Sequence, residues 1–158
     1  MEISYSAATG RFRPKAVIQE WLTMGCVLRV YGEDLDVDAL LSSVNLIAVA
    51  TWKTGQERIL KGRFHSDSGA NFVVSDADVE DFPRVIAEAE LFLARNYDEL
   101  CKLTSAPGAT GAVLDFAAAT RPGLVTQTSN FSVSFLQRMA DLNLALAVSH
   151  YPTDDISE

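Results

Sequence analysis

Apolar and polar residues follow two different periods along this chain, and the changes of period mark its elements. "CVLRVYG" at 26–32 is rich in β-branched and aromatic residues and closes on a glycine, which predicts a strand. "DVDALLSSVN" then takes up the helical period. The Asp36 carboxylate is placed to accept a hydrogen bond from a free N–H of the first turn, and Asp38 suits the positive end of the helix dipole. Leu35 before the cap and Leu40 at the fourth helical position fit a hydrophobic staple. "LIAVATW" at 46–52 is an apolar run of strand length, expected to be buried on both faces. The polar "KTGQERILKG" leads into "GRFHSDSGANFVVS", which reads as one or two short strands interrupted at "SDSG".

The longest helix is expected from Asp81, with Pro83 tolerated in a first turn whose N–H groups need no partner. Val85, Ile86, Ala89, Phe92 and Leu93 form its apolar stripe, and Asn96 ends or bends it. "YDELCKLTS" is a second helical piece and "APGATG" a loop. "AVLDFAAAT", the turn "RPG" and "LVTQTSN" predict two strands in hairpin order. "SVSFLQRMADLN" predicts a helix capped by Ser132, and "LALAVSHYP" a last strand stopped by Pro152.

A weak repeat links the two ends of the chain. At an offset of 124 − 28 = 96 positions, Asp34 meets Asn130, Asp36 meets Ser132, Val37 meets Val133 and Leu40 meets Leu136. Phe131 and Leu136 would repeat the staple. The match suggests two similar strand–helix–strand units. The expected fold class is α+β, with helices packed on one face of a mixed, mostly antiparallel sheet. One domain is expected over 26–152, with a polar tail at 153–158. Segment 1–25 is either a short helix, with Val17, Ile18, Trp21 and Leu22 at helical spacing, or an extended arm.

Composition narrows the function classes. The 158 residues are 48% hydrophobic and 22% charged, enough for one core without disulfides or metals. The formal net charge of -8 repels phosphate backbones, which argues against nucleic-acid binding and suits a basic protein partner. Cys26 and Cys101 sit far apart among apolar neighbours and read as buried thiols. The N-terminal residues carry no apolar signal core, and no run approaches the ~20 residues of a membrane span. A cytoplasmic protein with no membrane association is expected.

The alternating Asp34, Asp36 and Asp38 suggest a calcium loop, but position six is Ala39 and position twelve Asn45, where glycine and glutamate are needed. "DADVED" from Asp76 fails at the same two places. The two histidines, His65 and His150, make no closely spaced zinc pair. No nucleophile elbow and no glycine-rich nucleotide loop occurs, so no metal, no cofactor and no catalytic residue is expected. Trp52, Lys53, Arg58, Lys61 and Arg63 are the most basic local region, and "FHSD" places His65 two residues from Asp67. A ligand site here would be assembled from Trp52, Arg63, His65 and Asp67. The competing reading is a solvated edge strand whose positive charges block edge-to-edge pairing.

"LRVYGEDLDVDALL", "LKGRF", "NFVVS", "VIAEAELFLARNYDEL" and "FSVSFLQRMADLNLALAVSHY" together resemble a bacterial family known as domain of unknown function 4279. The resemblance covers roughly Cys26 to Tyr151. It implies a small α+β domain with no established activity, and it carries no catalytic residues. Two functions are therefore expected as alternatives. The first is a non-enzymatic protein-interaction module, such as an immunity-type factor that neutralises a basic toxin. The second is a small-molecule binder or unfamiliar enzyme using Trp52, Arg63, His65 and Asp67. A homodimer joined by a sheet edge is a third possibility.

Overall fold

A computed structural model of the protein describes residues 24–59 and 61–152. The helix or arm expected at the N-terminus, up to residue 23, and the tail at 153–158 lie outside the described residues. The order of elements is β1 (Cys26–Gly32), α1 (Val37–Ser43), β2 (Ala50–Trp52), β3 (Ser68–Ser75), α2 (Phe82–Arg95), α3 (Tyr97–Thr104), β4 (Gly111–Thr120), α4 (Val133–Asp141) and β5 (Ala145–Pro152). The strands form one mixed sheet in the order β2-β3-β1-β4-β5. Three neighbouring pairs are antiparallel, and only β4 and β5 run parallel. The fold is α+β, with the helices on one face of the sheet.

Strand alternation builds that face. Cys26, Leu28 and Val30 of β1 point the same way as Ala70, Phe72 and Val74 of β3 and Leu114 and Phe116 of β4. All are buried and share one core with Val85, Ala89 and Leu93 of α2 and Leu100 and Leu103 of α3. Phe116 is the centre of an aromatic group. Its ring lies 5.2 Å from Phe131, 5.9 Å from Phe82 and 6.1 Å from Phe135, all tilted or edge-on.

The helix starts follow their local chemistry. Asp36 Oδ1 accepts from the Ala39 N–H at 3.0 Å, and Leu35 and Leu40 are both buried, as the staple requires. Asp81 caps α2 through the Arg84 N–H, Pro83 sits in the first turn, and Asn96 forms the C-cap. Ser132 caps α4 by accepting from the Phe135 N–H at 3.1 Å. Side-chain ties then join the helices to the rest. Ser75 Oγ donates to Glu88 at 2.7 Å and Arg84 Nε donates to it at 2.9 Å; these bonds hold its carboxyl below the ordinary glutamate value. Lys102 and the Asn45 N–H do the same for Glu99, which fastens the end of α1 to α3.

Several expectations need correction. "LIAVATW" is a strand only over Ala50–Trp52, and it is not buried on both faces. It lies at the sheet edge beside β3, where Ile47 is 88% and Val49 49% exposed. "LVTQTSN" is no hairpin partner for β4. The edge of β4 it would need is filled by β5, paired from Val113 to Thr120. The chain therefore returns through α4, the crossover that a parallel pair requires. Residues 122–128, where a second strand–helix–strand unit would begin, form no strand, although α1 and α4 start at the matching Val37 and Val133. The second staple also differs: Phe131 stacks on Phe135 at 5.7 Å, while Leu136 is 44% exposed. β3 begins inside "SDSG" at Ser68 and runs unbroken to Ser75.

The two thiols are not equivalent. Cys26 is fully buried and Cys101 half-buried, and both are free. Burial, with a smaller push from Asp115, drives the Cys26 pKa well above its ordinary value. A thiol reagent added to the folded protein should modify Cys101 first, with Cys26 reacting only as the core opens. Equal labelling rates by mass spectrometry would contradict this burial.

Candidate functional site

The sheet face away from the helices carries the chemistry. Arg29 and Tyr31 lie out of phase with the core residues of β1 and face this side with Asn71 of β3 and Val113 of β4. Ala50 and Trp52 join them from β2, paired with Asn71 and Gly69. Two glycines shape the floor. Tyr31 is paired with Gly69 on one side and Gly111 on the other. A Cβ at Gly69 would stand inside the Trp52 ring, and one at Gly111 would lie 2.6 Å from the Tyr31 hydroxyl. Only glycine lets the two aromatic rings lie this close to the sheet.

Segment 53–67 supplies the wall. The Gly55 N–H donates to the His65 carbonyl at 2.8 Å, the His65 N–H to the Gln56 carbonyl at 2.9 Å, and the Arg58 N–H to the Arg63 carbonyl at 2.6 Å. These bonds fold the segment into a hairpin-like arm, with Glu57 bridged to Phe64. Gly55 and Gly62, at φ 80 and 78, supply its left-handed turns. The root is anchored. The Thr54 N–H donates to Ser68 Oγ at 3.0 Å, Thr54 Oγ1 to the Glu33 carbonyl at 3.1 Å, and Lys53 Nζ to Asp38 at 2.7 Å. The Asp38 carboxylate raises the Lys53 pKa and holds this ammonium at the root of the arm.

Arm and sheet enclose an open cleft of about 880 Å³. The four residues singled out from the sequence, Trp52, Arg63, His65 and Asp67, all line it. Trp52 and His65 stack with ring centroids 5.7 Å apart at 26°. Trp52 Nε1 donates to Asp67 Oδ1 at 2.8 Å, which fixes the indole edge. His65 is held by its own backbone bonds on both sides. Asp67 is thus a positioning group for Trp52, and the "FHSD" pair does not form a histidine–aspartate dyad.

Sequence reasoning missed Arg29, Tyr31 and Asn71, which strand pairing brings to the cleft. Arg29 Nε donates to Asn71 Oδ1 at 3.4 Å, and its guanidinium lies 3.8 Å from Asp115. One signal was available: an arginine in the middle of an apolar strand, in phase with Tyr31, marks an uncovered face. Arg58, already noted in the basic region, also lines the cleft. Lys61 is exposed and does not line it.

Among the described residues, no group of three or more His, Cys, Asp or Glu could hold a metal ion. Among them, too, no helix is long and apolar enough to cross a membrane. Compared with protein-family models, curated proteins and solved structures, the chain matches none.

Proposed function

We propose that this protein is a small-molecule binding module whose site is the cleft between the open sheet face and the 53–67 arm. One observation supports the reading above the others. Aromatic and cationic side chains from two strands and the arm converge on one concavity, and Gly69 and Gly111 keep its floor low. A cleft of about 880 Å³ with a few fixed polar groups has the size of ordinary ligand sites, roughly 300–1,000 Å³. These side chains are placed to hold a ligand, and binding is the activity proposed.

The alternative of an interaction module for a basic protein, immunity-type or otherwise, rests on the net charge of -8 together with the scarcity of histidines and of chemical motifs in the sequence. The cleft lining holds three arginines against two acids, the opposite sign to the chain as a whole. Membership of the domain of unknown function 4279 family, and a cytoplasmic setting, belong to the same proposal. The order of strand, capped helix, long helix and final helix–strand pair supports that membership, which assigns no role to the cleft.

A fragment screen by thermal shift tests the reading. Fragments that stabilise the wild-type protein should lose that effect in Trp52→Ala, each shift being read against that variant's own melting point. Fragments that stabilise both proteins equally would place the site elsewhere.

A further inference from the structure

Resting on that reading, we infer that the cleft takes a flat aromatic ring bearing an anionic group, a carboxylate or a phosphate, with Arg58 and Arg63 receiving the anion. Both acids in the cleft lining are already engaged. Asp67 Oδ1 accepts from the Trp52 indole, and Glu57 Oε1 accepts from the Gly62 N–H at 2.8 Å, closing the tip of the arm. Arg29 is shared between Asn71 and Asp115.

Arg58 and Arg63 differ from the other cations of the region. Neither guanidinium forms an ion pair or a side-chain hydrogen bond among the described residues, whereas Lys53 is paired with Asp38. Their backbones are bonded to each other across the arm, Arg58 N–H to Arg63 carbonyl at 2.6 Å, so both side chains spring from one place. The lining holds three arginines against two acids, so in a chain of net charge -8 the two unpaired guanidiniums make this a local positive site. Guanidinium geometry matches carboxylate and phosphate oxygens two at a time.

The ring requirement comes from the floor and the wall. Tyr31 lies low over Gly111, and Trp52 lies low over Gly69 with His65 stacked against it. These rings offer flat apolar surface with a positive rim above it. A saturated anion would use the arginines and leave this surface wet. A neutral ring would use the surface and leave both guanidiniums unpartnered.

Two matched sets of probes test the class by isothermal titration at low salt. One is adenosine 5′-monophosphate with adenosine and ribose 5-phosphate; the other is indole-3-acetate with indole and acetate. The member with both ring and anion should bind about tenfold or more tightly than either part, as a charged hydrogen-bond pair implies. Which set binds better separates a phosphate from a carboxylate ligand. Replacing both arginines, Arg58→Ala with Arg63→Ala, should bring the complete ligand down to the affinity of its neutral ring, with the melting temperature unchanged. Neutral rings that bind as tightly as the anionic ones and lose binding in Trp52→Ala would overturn the ligand class and leave the cleft reading intact. Failure of both sets to bind would also overturn the class, and the fragment screen then judges the cleft separately.

Discussion

Phe116→Ala is expected to lower the stability of the protein by about 3–5 kcal/mol, the range for removing a fully buried aromatic side chain. Phe116 is completely buried on the central part of β4, and its ring meets Phe82, Phe131 and Phe135. Those three rings arrive from α2, from the segment before α4 and from α4 itself. The substitution therefore opens a cavity where two separate stretches of chain meet the sheet. Rigid neighbours on β1 and β5 limit how far the site can collapse. Leu124→Ala is the control, because that side chain is exposed and should move the midpoint little. Urea unfolding of both variants checks the claim. A Phe116→Ala loss no larger than that of Leu124→Ala would mean that the aromatic group is not the packing centre.

Gly69→Ala should damage the fold and the cleft together. The new Cβ would lie inside the Trp52 ring and 2.6 Å from the Val30 carbonyl oxygen on the neighbouring strand. The indole can swing aside, but the carbonyl belongs to the β1–β3 ladder and cannot move without stretching it. Overpacking of this kind costs roughly 1–3 kcal/mol. Moving the indole also breaks its bond to Asp67 and its stack on His65. The variant should unfold at lower urea and show a displaced Trp52 indole N–H resonance. An unchanged midpoint together with an unchanged indole resonance would contradict the described approach of ring to strand.

What could be read from the sequence was what local chemistry decides. Asp36, Asp81 and Ser132 announce their helices because a cap needs only a side chain and the three residues after it. Tertiary placement was less legible. The apolar run 46–52 looks like an inner strand, yet no composition says which strand ends at the sheet edge. "LVTQTSN" opens on apolar and β-branched residues like a strand and fails to become one because β5, 21 positions further on (145 − 124), takes the partner it would need. The cleft shows the same division. Trp52, Arg63, His65 and Asp67 lie within one short stretch, so their grouping shows in sequence. Arg29, Tyr31 and Asn71 reach the cleft only through strand register, which a sequence without its pairings does not display.

The central claim is that the open sheet face under the 53–67 arm is where this protein binds its ligand. The most direct measurement is a proton–nitrogen chemical-shift map of the protein titrated with the strongest stabilising fragment. The account predicts that the largest shifts fall on the Trp52 indole N–H and on the backbone amides of Tyr31, Arg63, His65 and Asn71. Shifts concentrated instead on the helices or on the β5 edge, with Trp52 unmoved, would contradict it.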